Sequence, residues 1–115
     1  MIRKYLLLLS YGMLVAQFAY CHPPSDIKIN FDEQTKIVKA EILHNTTNPD
    51  KHFIGKVDVH LNGKEIISQK ISKQENPKSQ HVIYLITDVK KGDNIAIEAY
   101  CSVGGILKKT MTVGK

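Results

Sequence analysis

The sequence predicts an all-β protein, an immunoglobulin-like antiparallel β-sandwich of about seven strands that follows an N-terminal signal peptide. Three observations carry this expectation. From Asp26 onward short apolar runs alternate with polar residues at a period of two, turn residues separate the runs, and no segment has helical periodicity. A closed small barrel is the alternative architecture.

The opening "MIRKYLLLLSYGMLVAQFAYC" sets Arg3 and Lys4 before an apolar run from Tyr5 to about Ala19, the pattern of an export signal. The run is shorter than the roughly 20 residues a spanning helix needs, contains Ser10, Tyr11, Gly12 and Gln17, and leads into "HPPSD", which cannot continue a helix. Residues 1–21 are therefore expected to be removed, leaving 22–115 as one domain, periplasmic or secreted, with no transmembrane span. Ala19 and Cys21 fit the small residues wanted before a cleavage point, which makes His22 the first mature residue. Lipid anchoring through Cys21 is the competing outcome, disfavoured by the bulk of Tyr20. A Cys21–Cys101 disulfide would require earlier cleavage.

The strands follow in order. Ile27, Ile29 and Phe31 alternate with Lys28 and Asn30, and "DEQT" turns the chain. "KIVKAEILH" puts Val38, Ala40, Ile42 and His44 on one face. In "FIGKVDVHL", Phe53, Gly55, Val57, Val59 and Leu61 are expected to share a face, with Ile54, Lys56, Asp58 and His60 opposite. Asn62-Gly63 then joins this strand to "KEIISQKI" as a tight hairpin, because both residues tolerate positive φ. "KQENPKSQ" reads as a polar loop, "HVIYLITDV" as a strand, "KKGDN" as a turn, and "IAIEAYC" and "ILKKTMTV" as the last two strands. The absence of Trp and of a second cysteine inside the domain argues against an antibody-type core built on an inter-sheet bridge.

Without Arg3 and Lys4 the chain keeps 14 basic residues against 11 acidic ones, all of the basic ones lysines scattered along the strands. Nucleic-acid sites lean on clustered Arg and Lys with stacking aromatics, so no nucleic-acid partner is expected. No Ser/His/Asp ordering, phosphate-cradling loop or paired acids can be assembled either.

What remains is histidine and one thiol. His44 ends one strand and His52 precedes the next, with the loop "NTTNPDK" between, so both lie at the same rim and could converge on one ion. Cys101 closes a strand on the face of Ile95, Ile97 and Ala99. Thiolate with imidazole suits iron, copper or zinc, and not magnesium or calcium. The plainer alternative makes Cys101 a small buried hydrophobe and the histidines loop residues. His60 and His81 are expected to face solvent. Asn45-Thr46-Thr47 matches a glycosylation sequon, relevant only in a eukaryotic secretory route.

"NPDKHFIGKVDVHLNGK" and "GDNIAIEAYCSVGG" resemble the iron-binding domain of desulfoferrodoxins and neelaredoxins, the superoxide reductases, over about residues 22–113. The resemblance implies an immunoglobulin-like sandwich holding one iron through four histidines and an axial cysteine thiolate. His44 matches the histidine that opens the ligand loop, although Asn45 replaces the usual proline. His52 matches the one that closes it, Cys101 the axial thiolate, Gly105 the final glycine of the last motif, and His22 before Pro23 the N-terminal ligand. Gly104 stands where the fourth histidine belongs, and no Glu-Lys pair precedes His22. The resemblance thus implies a reduced metal site of His22, His44, His52 and Cys101, with superoxide and an electron donor as partners. Two readings stand beside it: a non-catalytic iron or copper protein, copper being chelated by a free His22 amine and imidazole, and a metal-free sandwich that docks a partner along a sheet edge.

Overall fold

The computed structural model describes residues 22–115, so the expected signal peptide and Cys21 lie outside the described residues. Seven strands form: β1 (Asp26–Asp32), β2 (Ile37–Leu43), β3 (Ile54–Leu61), β4 (Lys64–Lys70), β5 (Ser79–Leu85), β6 (Asn94–Cys101) and β7 (Ile106–Thr112). They make two antiparallel sheets, one ordered β1-β2-β5 and the other β4-β3-β6-β7. No strand is shared between the sheets, so the architecture is the expected sandwich and not a closed barrel.

The alternation seen in the sequence becomes the core. Ile27, Val38 and Ile42 from one layer meet Val57, Val59, Ile95, Ile97 and Ala99 from the other, all fully buried. β-branched side chains dominate because their restricted rotamers lose little on a pleated surface and pack well across it. Asn62 and Gly63 both take positive φ, 50° and 82°, as the tight β3–β4 hairpin requires.

The structure corrects the reading of β3. Ile54 pairs with Cys101 and Lys56 with Tyr100, leaving Gly55 as the extra residue of a β-bulge. The bulge resets the alternation, so Ile54 joins Val57 and Val59 in the core instead of facing away. Asp58 does point to the outer face but is only 3 % exposed. The Ser68 hydroxyl donates to its carboxylate at 2.6 Å and Lys56 pairs with it at 3.3 Å. His60 is half-buried rather than exposed, at a second register shift between β3 and β4. β5 begins earlier and ends at Leu85, after which Ile86 and Val89 still turn into the core.

Candidate metal centre

One rim of the sandwich collects the singled-out residues. β2 ends at Leu43, and His44 follows it directly, continuing the inward face of Val38, Ala40 and Ile42 and only 1 % exposed. The loop to β3 is then closed by local hydrogen bonds. Asn48 accepts at its carbonyl from the amides of Lys51 (3.1 Å) and His52 (2.9 Å), while its side chain accepts from the Asp50 amide. Asn-Pro sequences favour such turns because Asn bonds its own backbone and Pro presets φ. The turn carries His52 back over the end of β2.

Cys101 arrives from the opposite layer as the last residue of β6. The amide of Gly104 donates to the Cys101 carbonyl at 3.1 Å and the Cys101 amide to the Gly105 carbonyl at 3.0 Å, so the chain doubles back immediately. Gly104 and Gly105 have φ of 137° and 96°, both in the region that favours glycine. A Cβ on Gly105 would lie 2.7 Å from the Pro23 nitrogen and 2.8 Å from its Cα. The bare glycine is therefore what lets the segment before β1 rest on this bend. That segment is pinned further along by the Ser25 amide, which donates to the Leu43 carbonyl at 2.8 Å.

The result is a cluster of three imidazoles. Ring centroids of His22 and His44 are 5.1 Å apart, those of His22 and His52 5.1 Å, and those of His44 and His52 4.8 Å. One nitrogen from each lies within 4.8 Å of the others, so the three could hold a metal ion. Cys101 Sγ sits 3.0 Å from His52 Nε2, hydrogen-bonded to it. Among the described residues Cys101 is a free thiol and is buried. His60 and His81 take no part: His81 lies on the outer face of β5, bonded to Glu75 and, at 2.9 Å, to Glu41.

Burial sets the electrostatics. It pushes the pKa of His44 down, with the neighbouring His52 and His22 adding to the effect and the Gln74 bond opposing it. His52 is lowered for the same first reason, then by His22. Both rings are thereby held neutral near pH 7, the state that offers a lone pair. Among the described residues His44 Nε2 is buried with no partner at hydrogen-bonding geometry, the His22 backbone acting on the ring only weakly, whereas Nδ1 lies 2.9 Å from Gln74 Oε1. A buried nitrogen left unpaired costs about 1–3 kcal/mol, and a metal ion is the partner that would satisfy it beside two more imidazoles and a thiol. The donor set fits a borderline or soft transition metal.

A cleft of about 450 Å³ opens onto His22 and His52, with Asn45, Thr46, Thr47, Pro77 and Lys78 as its other walls. The expected ligand loop thus also forms the mouth of the site. Gln74, which braces His44 from the β4–β5 loop, was not signalled by the sequence, where it is one polar residue among many in "KQENPKSQ".

Comparison with known proteins supports the fold. No protein-family profile matches the chain, and no curated protein sequence matches it either. Among solved structures, the chain is similar to a superoxide reductase (1Fe-SOR) from Giardia intestinalis, with a TM-score of 0.62 and 18% identity, covering 79% of this chain and 99% of that one. It is also similar to a hypothetical protein from Pyrococcus horikoshii, with a TM-score of 0.55 and 16% identity over 78% of this chain and 88% of the other. The chain therefore has a superoxide-reductase-like β-sandwich fold with a three-histidine cluster able to bind a metal.

Proposed function

We propose that this chain is an exported, superoxide-reductase-like metalloprotein, with His22, His44, His52 and Cys101 as ligands of a single iron. The observation that carries the proposal is the buried, unpartnered Nε2 of His44 beside two further imidazoles, with a thiol 3.0 Å from one of them. When bound, iron would supply the one-electron reduction of superoxide to peroxide, an electron-donating partner restoring it afterwards.

The chain's own residues have separable tasks in this reading. His44, deeply buried, offers a nitrogen whose direction is fixed by packing. Lowered imidazole pKa values let His44 and His52 bind without first losing a proton near neutral pH. Cys101 contributes the soft, electron-rich donor at the end of a rigid strand. The cleft admits a small solute, and the positive charge of Lys78, one of its lining residues, would favour an anion. Gly104, in place of a fourth imidazole, leaves that side of the cluster without a ligand.

Metal analysis of protein produced with iron tests the proposal. One iron per chain is expected, with a visible thiolate-to-iron absorption that Cys101→Ser abolishes, and superoxide consumption matched by peroxide. An unmetallated protein whose spectrum ignores Cys101→Ser would overturn it. Stoichiometric iron with no superoxide consumption would instead support the non-catalytic metal carrier.

A further inference from the structure

We propose that Gln74 is the positioning residue of this centre: its carboxamide locks His44 into the Nδ1–H tautomer and thereby commits Nε2 to the metal. The argument starts from the other end of the amide. Gln74 is 0 % exposed and its Nε2 donates to two carbonyl oxygens, that of His44 at 2.7 Å and that of Asn76 at 2.9 Å. Carbonyl oxygens only accept, so the nitrogen end of the side chain is identified without ambiguity. Reversing the amide would set its oxygen against both carbonyls and its NH₂ against the Ile54 amide.

Oε1 must therefore receive protons from whatever faces it. One donor is the Ile54 amide at 3.2 Å, and the other group in reach is His44 Nδ1 at 2.9 Å. That nitrogen carries the hydrogen. A neutral imidazole has one N–H, so Nε2 has the lone pair. All four hydrogen-bonding positions of the carboxamide are then used, which is why a buried glutamine is tolerated there.

The loop that brings Gln74 in is strapped to both sheets. The Ile71 amide donates to the Gly55 carbonyl at 2.9 Å, the Gln74 amide to the Pro49 carbonyl at 3.1 Å, and the His44 amide to the Lys78 carbonyl at 2.9 Å. Gln74 thus ties the loop between β4 and β5 to the residue after β2 and to the first residue of β3. The use assigned to Nε2 rests on the metal-binding reading, whereas the tautomer stands on the neutral ring's hydrogen bond to Gln74, a stronger influence on the ring than the His22 backbone.

Nitrogen NMR of the metal-free protein reads the tautomer directly, and cobalt(II) titration reads the consequence. The parent is expected to show His44 protonated at Nδ1 and bare at Nε2 from neutral to mildly alkaline pH. Gln74→Leu removes the acceptor and should release the ring into a mixture of tautomers, with cobalt(II) bound roughly 10- to 100-fold more weakly. Gln74→Glu fits the site only as the neutral acid, its carbonyl oxygen facing Nδ1 and its hydroxyl donating to the His44 carbonyl; in that form it should preserve the tautomer and most of the affinity, although it loses the bond to Asn76. An Nε2–H tautomer in the parent, or Gln74→Leu binding cobalt(II) as the parent does, would overturn the proposal. Should Gln74→Leu not fold, the parent spectrum and Gln74→Glu decide it by the same criterion. A parent that shows the Nδ1–H form yet binds no cobalt(II) would overturn the metal reading and the purpose given to Nε2.

Discussion

Gly105 illustrates how one missing side chain positions a candidate metal ligand, His22. Its positive φ and the backbone of His22 and Pro23 against its α-carbon leave no space for a methyl group, and proline cannot move aside as a flexible side chain would. Gly105→Ala should push the His22–Pro23 segment off the bend, costing about 1–3 kcal/mol in urea unfolding and weakening cobalt(II) binding, while the Cys101–His52 contact stays. Gly63→Ala is the matched control: the same sign of φ but nothing within 4 Å of the added carbon, so it should cost stability and leave metal affinity untouched. The sequence announced a bend after Cys101 through its two glycines. It could not announce what rests against that bend, because a close approach of backbone to backbone leaves no mark in hydropathy. His22 was legible through the resemblance and through its place as the expected first mature residue, whereas the meeting of His44 and His52 followed from their places at the two ends of one loop.

At the scale of elements, the loop between β4 and β5 joins the buried centre to the surface. Gln74 reaches inward, and its neighbour Glu75 reaches outward to accept from both the ring Nδ1 and the backbone amide of His81 on β5. Glu41 on β2 holds the other ring nitrogen. These two carboxylates, with the hydrogen bond to Glu75 the largest influence, raise the His81 pKa above its ordinary value. A raised folded-state pKa gives a contribution fully present below about pH 6.5, the unfolded value, and lost as pH rises through the folded one. His81→Asn should therefore destabilise the protein at pH 5.5 and match the parent near pH 9, in parallel chemical unfolding curves. With His81 half exposed, solvent screening holds the difference to under about 1 kcal/mol. The seven strands and the Asn62-Gly63 hairpin were legible from period-two patterning and turn chemistry. The Gly55 bulge was not, since an inserted residue shifts the period only once and looks like noise in a single strand. Gln74 was hidden because composition cannot separate a buried amide from a solvated one.

Across the whole molecule, the cluster draws on both layers. His22 and His44 flank β1 and β2 of the three-stranded sheet, while His52 precedes β3 and Cys101 ends β6 of the four-stranded one. An ion held by all four binds the native state and not the unfolded chain, so it stabilises by mass action, about 2.7 kcal/mol at a free metal concentration a hundredfold above Kd. For a domain of this size that corresponds to roughly 10–20 °C in Tm. Thermal unfolding of the loaded protein with and without a strong chelator measures the shift, and Cys101→Ser should shrink it. A midpoint indifferent to chelation would contradict coordination at this rim. Sandwiches of the antibody type are stitched through their middle by a sulfur–sulfur bond that only a reductant undoes. Here the seam between the layers would be fastened at its end by coordination, so that occupancy of the centre sets how firmly the two halves are held together.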